Sequence, residues 1–321
     1  MDLIYADGDR TDLGVLQDYT LDLAFGSDEN DFRCTISLGE HCCHAGYYLY
    51  LEDTEYGGIV DILDVDTDAD TVSYEGRTWH GILAGKILCP DKGKDYLTLS
   101  GEANAVLGHL VERMGLADLF EASAEVSDIT INNYRMDRYI DGYAGIWKML
   151  ASSGGKLQFS YNGSKVILSA VPLVDHSKDE EWDSSQLTFR VAKNANPVNH
   201  MICLGRGELS EREVIHLYAD RDGSISYIPT LTGGSEVAAV YDNSNAESVD
   251  ELEQGGRKRL QEEYEAAGAV QIHFEAGQEY DIGDIVGARE TVTGVYVSRP
   301  IVKKIVTVNQ KGIQVEYKVG E

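Results

Sequence analysis

Positive charge is scarce in this sequence. Its 321 residues carry 27 lysines and arginines against 55 aspartates and glutamates, a net charge of −28. A field of that sign repels phosphate backbones and anionic lipid surfaces, which argues against specific nucleic-acid binding through counterion release. Long apolar runs are missing too. No stretch approaches the roughly 18 residues of a membrane span, and the N-terminus, MDLIYADGDRTD, has neither a basic n-region nor an apolar h-region. No membrane insertion and no export by a signal peptide are expected. The five cysteines, Cys34, Cys42, Cys43, Cys89 and Cys203, are odd in number and irregular in spacing. They do not read as a disulfide framework, and a reducing cytosol is the expected place of synthesis.

Recognisable chemistry is equally sparse. There is no G-x-S-x-G, no H-E-x-x-H and no cysteine in a nucleophile context. The GRG at Gly205 to Gly207 runs on into strand-like sequence, so it lacks the helix N-terminus that a phosphate would use. DVDTDAD spaces Asp66, Asp68 and Asp70 like the start of a calcium loop, but Thr71 and Arg77 stand where glycine and glutamate are needed. An acidic hairpin turn is the reading. EHCCH, Glu40 to His44, raises the question of a metal. Zinc sites separate paired cysteines by two to four residues, and adjacent Cys42 and Cys43 would point to opposite faces of an extended chain. Cys89, Cys203 and His200 are isolated, so no metal, no cofactor and no catalytic residue is assigned. Paired carboxylates for glycoside hydrolysis stay open, because their separation is invisible in sequence.

What is present is β-sequence with an uneven charge. Met1 to Ser100 holds 21 acidic and 6 basic residues, whereas Arg289 to Glu321 holds 3 acidic and 6 basic. Short apolar segments broken by acidic turns fill residues 1–99 and predict a tube-like β-domain. At Ser100 the period changes. Ala103, Val106, Leu107, Leu110, Val111 and Met114 predict a helix from Glu102 to Met114 with Gly115 past its end. A second helix is expected after Asp141, stopped by Gly154 and Gly155, and Asn162-Gly163 suits a two-residue type I′ hairpin turn. That turn, rather than glycosylation, accounts for the sequon at Asn162. Residues 100–184 thus read as an α+β middle module. Residues 185–321 read as a second β-domain carrying one long helix, with Ser248 and Glu251 in a capping-box pattern and a stripe of Val249, Leu252, Gly256, Leu260, Tyr264 and Ala267. Gly256 on that stripe predicts close approach to a sheet. Ile313, Val315, Tyr317 and Val319 alternate with polar residues and predict a half-buried strand.

Two segments carry a family resemblance. DTEYGGIVDILDVDTDADTVSYEGRTWHGILAGKIL, Asp53 to Leu88, resembles the N-terminal β-domain of phage and prophage tail proteins of the siphophage tail-hub type. EYDIGDIVGARETVTGVYVSRPIVKKIVTVNQKGIQVEYKVG, Glu279 to Gly320, resembles their closing β-segment. The shared pattern comprises Tyr56, Gly57, Gly58, Ile59, Gly76, Arg77, Trp79, His80, Gly81, Ile82, Tyr280, Gly283, Asp284 and Val286. The resemblance implies a mainly β fold, two tail-tube-like β-barrel domains with a middle α+β insertion, and a homotrimeric ring. Such a ring is a structural virion component, a baseplate hub joining a hexameric tail tube to the tail-tip or spike proteins. It also implies that the protein is not an enzyme, that no lytic domain follows the second β-domain, and that EHCCH is a solvent-side connection. The alternatives are a tail-tip protein that binds or hydrolyses cell-wall glycans with acidic side chains, and an unrelated cytosolic β-rich enzyme.

Overall fold

In the first 80 residues, alternation decides which side of each strand is buried. Leu3–Ala6 (β1) and Asp12–Leu16 (β2) pair antiparallel. Tyr19–Gly26 (β3) and Asn30–Ser37 (β4) follow; Leu21, Leu23, Phe25, Phe32, Cys34 and Ile36 face inward while Thr20, Asp22 and Arg33 face solvent. Tyr48–Tyr50 (β5), Gly57–Asp66 (β6) and Thr71–Thr78 (β7) complete the N-terminal strands. The computed structural model describes residues 2–177, 187–191, 196–266, 270–274, 280–289 and 296–320. The turn from β6 to β7 is the acidic one expected: the Asp66 carboxylate accepts the amides of Asp68 and Ala69.

Trp79–Ala84 (α1) leads into the middle of the chain. Here Ile87–Leu88 (β8), Leu97–Glu102 (β9), Ala103–Arg113 (α2), Phe120–Ala122 (β10), Thr130–Met136 (β11), Ile140–Asp141 (β12) and Gly142–Ala151 (α3) precede the hairpin of Gly155–Tyr161 (β13) and Val166–Pro172 (β14). Both predicted helices form where their caps lie. The Glu102 and Asp141 carboxylates accept the amides of Ala105 and Ala144, and Gly115 takes φ +69° just past α2. The hairpin forms with a different turn. Tyr161 is opposite Val166, so the loop has four residues, and the Asn162 carboxamide accepts the amides of Ser164 and Lys165. An Asx turn replaces the predicted type I′ turn. The core of this region is continuous with Tyr48, Tyr50, Trp79 and Leu83.

Leu187–Val191 (β15), His200–Leu204 (β16), Val214–Ala219 (β17), Ile225–Ser226 (β18), Ala238–Asp242 (β19), Val249–Ala266 (α4) and Val270–Phe274 (β20) come next. Ile285–Arg289 (β21), Tyr296–Asn309 (β22) and Gly312–Val319 (β23) close the chain. The residues divide into two units, one of Met1–Thr188 with Ile272–Glu321 and one of Phe189–Gln271.

In the larger unit, one sheet of ten strands runs β2-β1-β5-β6-β7-β4-β3-β22-β21, with β23 also on β22. The two ends of the chain therefore meet: Lys303 to Val308 on β22 pair with Leu21 to Gly26 on β3. The protein is mainly β. The two closed barrels implied above do not appear among the described residues, because β2 and β21 end the sheet without pairing to each other.

In the smaller unit, β18-β17-β16-β19 form a sheet and α4 packs on β16 and β17. The Ser248 hydroxyl caps α4 by accepting the Glu251 amide, and the Glu251 carboxylate accepts the amide of Glu247. Leu252 and Leu260 are buried, whereas Val249 is half exposed and Ala267 lies outside the described residues. A Cβ on Gly256 would overlap the Cys203 sulfur on β16, which is the close approach that its place on the stripe predicts.

Candidate functional site

The motif residues gather at two adjoining places in the larger unit. The first is the β6–β7–α1 junction. Thr78 caps α1 by accepting the Gly81 amide (3.2 Å), which sets Trp79 and His80 into the core at the first turn. Trp79 stacks 5.4 Å from Tyr161 and 6.1 Å from Tyr48. Gly57 admits the Trp79 ring, since a Cβ there would stand 2.7 Å from it. On Gly58 a Cβ would overlap the Arg77 carbonyl, and on Gly81 the Asn30 carbonyl. Ile59 pairs with Tyr48 and Arg77, and the Tyr56 ring lies 6.3 Å from Phe25. Arg77 is held by Asp61 through two bonds of 2.8 Å.

The second place is a buried network of charge. Lys156 and Asp284 are 5% and 2% exposed, and the Lys156 ammonium donates to both Asp284 oxygens at 2.7 and 2.8 Å. Asp284 also accepts the amides of Val174 and Asp281, each at 3.0 Å. Gly283, at φ +104°, turns the chain between these two aspartates. Asp281 receives Lys156 at 2.8 Å and the Gln158 amide nitrogen at 2.6 Å, and lies 3.5 Å from the Lys304 ammonium. Lys304 in turn donates to Glu55 at 2.6 Å, and His80 lies 3.8 Å from Glu55. Tyr280 packs edge-on against His176 and Tyr317, and its amide donates to the Tyr317 hydroxyl.

The surroundings shift the ionisation of Lys304, Asp281 and His80. Burial pulls Lys304 down, but Glu55 and Asp281 outweigh it and hold the ammonium above its ordinary value. Burial pushes Asp281 up, yet its bonds from Lys156 and Gln158 and the nearby Lys304 charge leave it below the usual carboxylate range. His80 is driven well below its ordinary value by burial and then by Lys304. Its ring is stacked 4.4 Å from Phe25 and 3.9 Å from Phe159, and its Nδ1 is buried without a hydrogen-bond partner.

A neutral, buried histidine has a stability consequence with a definite sign. Below a pH of about 6.5 the unfolded chain protonates His80 while the folded chain does not, so stability falls by about 1.4 kcal/mol per pH unit. Asp281, held low, adds its own loss only below about pH 4. His80→Phe keeps a ring and removes the proton site. Between pH 7 and 5 the variant is expected to lose about 2 kcal/mol less than the parent chain, measured by urea unfolding at a series of pH values. Parallel losses would place the acid sensitivity elsewhere.

Sequence reasoning found Asp284 and His80 but missed their partners Glu55, Lys156, Asp281 and Lys304. One signal was readable: Lys303-Lys304 interrupts the apolar run of β22, and both side chains are buried. Consecutive strand residues face opposite ways. Lys303 accordingly meets Asp28 and Glu29, while Lys304 meets Glu55. Chemically, the network joins segments far apart in the chain, and each carboxylate in it is engaged by a lysine. This is a clamp.

EHCCH departs from its reading. Residues 41–44 follow a 3-10 turn, Leu38–Glu40, and form no strand. The premise of opposite faces therefore fails: the Cys42 and Cys43 sulfurs lie 3.8 Å apart, and Cys43 is fully buried in the core of the N-terminal strands. The segment is not merely a solvent-side connection. Among the described residues, no helix is long and apolar enough to cross a membrane.

No protein-family model and no curated protein matches this chain. Solved structures do. The chain is similar to the 43 kDa tail protein of prophage MuSo2 from Shewanella oneidensis at TM-score 0.50 and 10% identity, covering 100% of this chain and 98% of that one. It is similar to prophage tail protein gp18 from Listeria monocytogenes EGD-e at TM-score 0.51 and 11% identity, covering 100% and 95%. From end to end, the chain has the fold of prophage tail proteins.

Proposed function

We propose that this chain is a structural virion protein, a tail or baseplate hub of a phage or prophage particle. Three copies form a ring that joins a hexameric tail tube to the tail-tip proteins, and the protein works by shape and interface rather than by a reaction. The observation that carries this is the full-length likeness to two prophage tail proteins, with almost nothing left over on either side. Closed cyclic symmetry suits a protein that surrounds an axis. In this reading residues 1–99 and 185–321 supply two tube-like barrel walls, and residues 100–184 the insertion. The sheet edges at β2 and β21, open among the described residues, are completed by neighbouring copies. The motif residues, Tyr56 to Ile59, Trp79 to Gly81, Tyr280, Gly283 and Asp284, are structural.

Deleting Ile313 to Val319 strips β23 from β22 and is expected to abolish ring assembly. A ring of normal mass from that variant would overturn the reading. One observation favours glycan binding at the tail tip as a second reading: a cleft of about 350 Å³ beside the network, lined in part by Thr54, Tyr56, Gln158, Ser160, Asp281 and Tyr317. Co-sedimentation with purified peptidoglycan tests it, and no pelleting above a protein-only control retires it.

A further inference from the structure

The hub reading gives Cys42 and Cys43 no role, yet their arrangement is specific. The Tyr74 hydroxyl accepts the amides of both, at 3.0 Å from Cys42 and 3.2 Å from Cys43, and also bonds the His41 Nδ1 at 3.1 Å. One hydroxyl on two successive amides bends the chain so that both sulfurs turn to the same side, 3.8 Å apart. Cys42 is partly exposed and Cys43 is fully buried, so the pair is reached from the Cys42 side.

The sulfur spacing distinguishes between two uses. Neighbouring Cα atoms stand about 3.8 Å apart, short of the ~4.4 Å at which disulfides ordinarily begin, so closing this pair strains the chain. Two thiolates on a tetrahedral ion, each at about 2.3 Å, lie about 3.8 Å from each other. The free pair already has that bite. We infer that Cys42 and Cys43 form a two-sulfur seat for one thiophilic d¹⁰ cation of the zinc and cadmium class. Among the described residues no group of three Cys, His, Asp or Glu side chains is disposed around one ion, so the remaining positions belong to water or to ligands the ion brings. Binding displaces the two thiol protons to solvent, so affinity rises with pH.

Cadmium(II) alone, titrated into the reduced full chain, is the probe, read by the ultraviolet sulfur-to-cadmium charge-transfer band. The expected result is a band that saturates at one equivalent and strengthens from pH 6.5 to 8. Serine at position 43 would strand a hydroxyl in the core, so Cys42→Ser is the decisive variant, with unchanged circular dichroism as its folding control. It should weaken binding by more than about 100-fold, beyond what loss of an outer-shell partner costs, while Cys89→Ser leaves the titration unchanged. A parent chain with no saturable band, or an equal band in folded Cys42→Ser, overturns the proposal.

Discussion

Lys156→Met is expected to destabilise the larger unit by about 3–5 kcal/mol, because it leaves the Asp284 carboxylate buried without its ammonium. The cost lies in the stranded charge rather than in the pair itself. Withdrawing both charges from water was already expensive, and the paired state does little more than offset that expense. The double variant Lys156→Met with Asp284→Asn is therefore expected to recover part of the loss: it removes the stranded charge, but the single carboxamide oxygen of asparagine can accept only one of the Val174 and Asp281 amides, which now donate to different oxygens of Asp284. Urea unfolding of the single and double variants checks both statements. A single-variant loss below about 1 kcal/mol, the range of exposed pairs, would show that the network is wet and not a clamp.

Gly76→Ala is expected to cost at least about 3 kcal/mol, well above the typical point substitution. Gly76 lies on β7 opposite Val60, and a Cβ there would overlap the backbone carbonyl of Ile59. A side chain can move aside. A carbonyl in a sheet cannot do so without breaking its ladder. Gly39→Ala is the control, because nothing stands within 4 Å of a Cβ at that position, and it should change stability by less than about 0.5 kcal/mol. Equal melting temperatures for the two variants would mean that β6 and β7 can separate locally at little cost.

Local structure was legible where a single residue decides it. Asp141 and Ser248 start their helices as their side-chain chemistry requires, and Gly256 meets the sheet where its place on the apolar stripe says it must. Long-range pairing was not legible. Ile313 to Val319 reads as a strand from its alternation, but nothing in it says that its neighbour β22 lies against β3 from the other end of the chain. Loop geometry failed for a related reason. A tyrosine on β7 folds the Cys42–Cys43 backbone, and no local rule for adjacent cysteines includes Tyr74. The charge network shows both cases: paired lysines in an apolar strand announce buried partners, but only the fold says which carboxylates those are.

The proposed ring is tested most directly by light scattering on the purified chain at several concentrations, with negative-stain images of the same fractions. A hub gives three times the 35.3 kDa chain mass and particles with a central hole. A monomer at every concentration, unchanged when the neighbouring tail proteins are co-expressed, would contradict it.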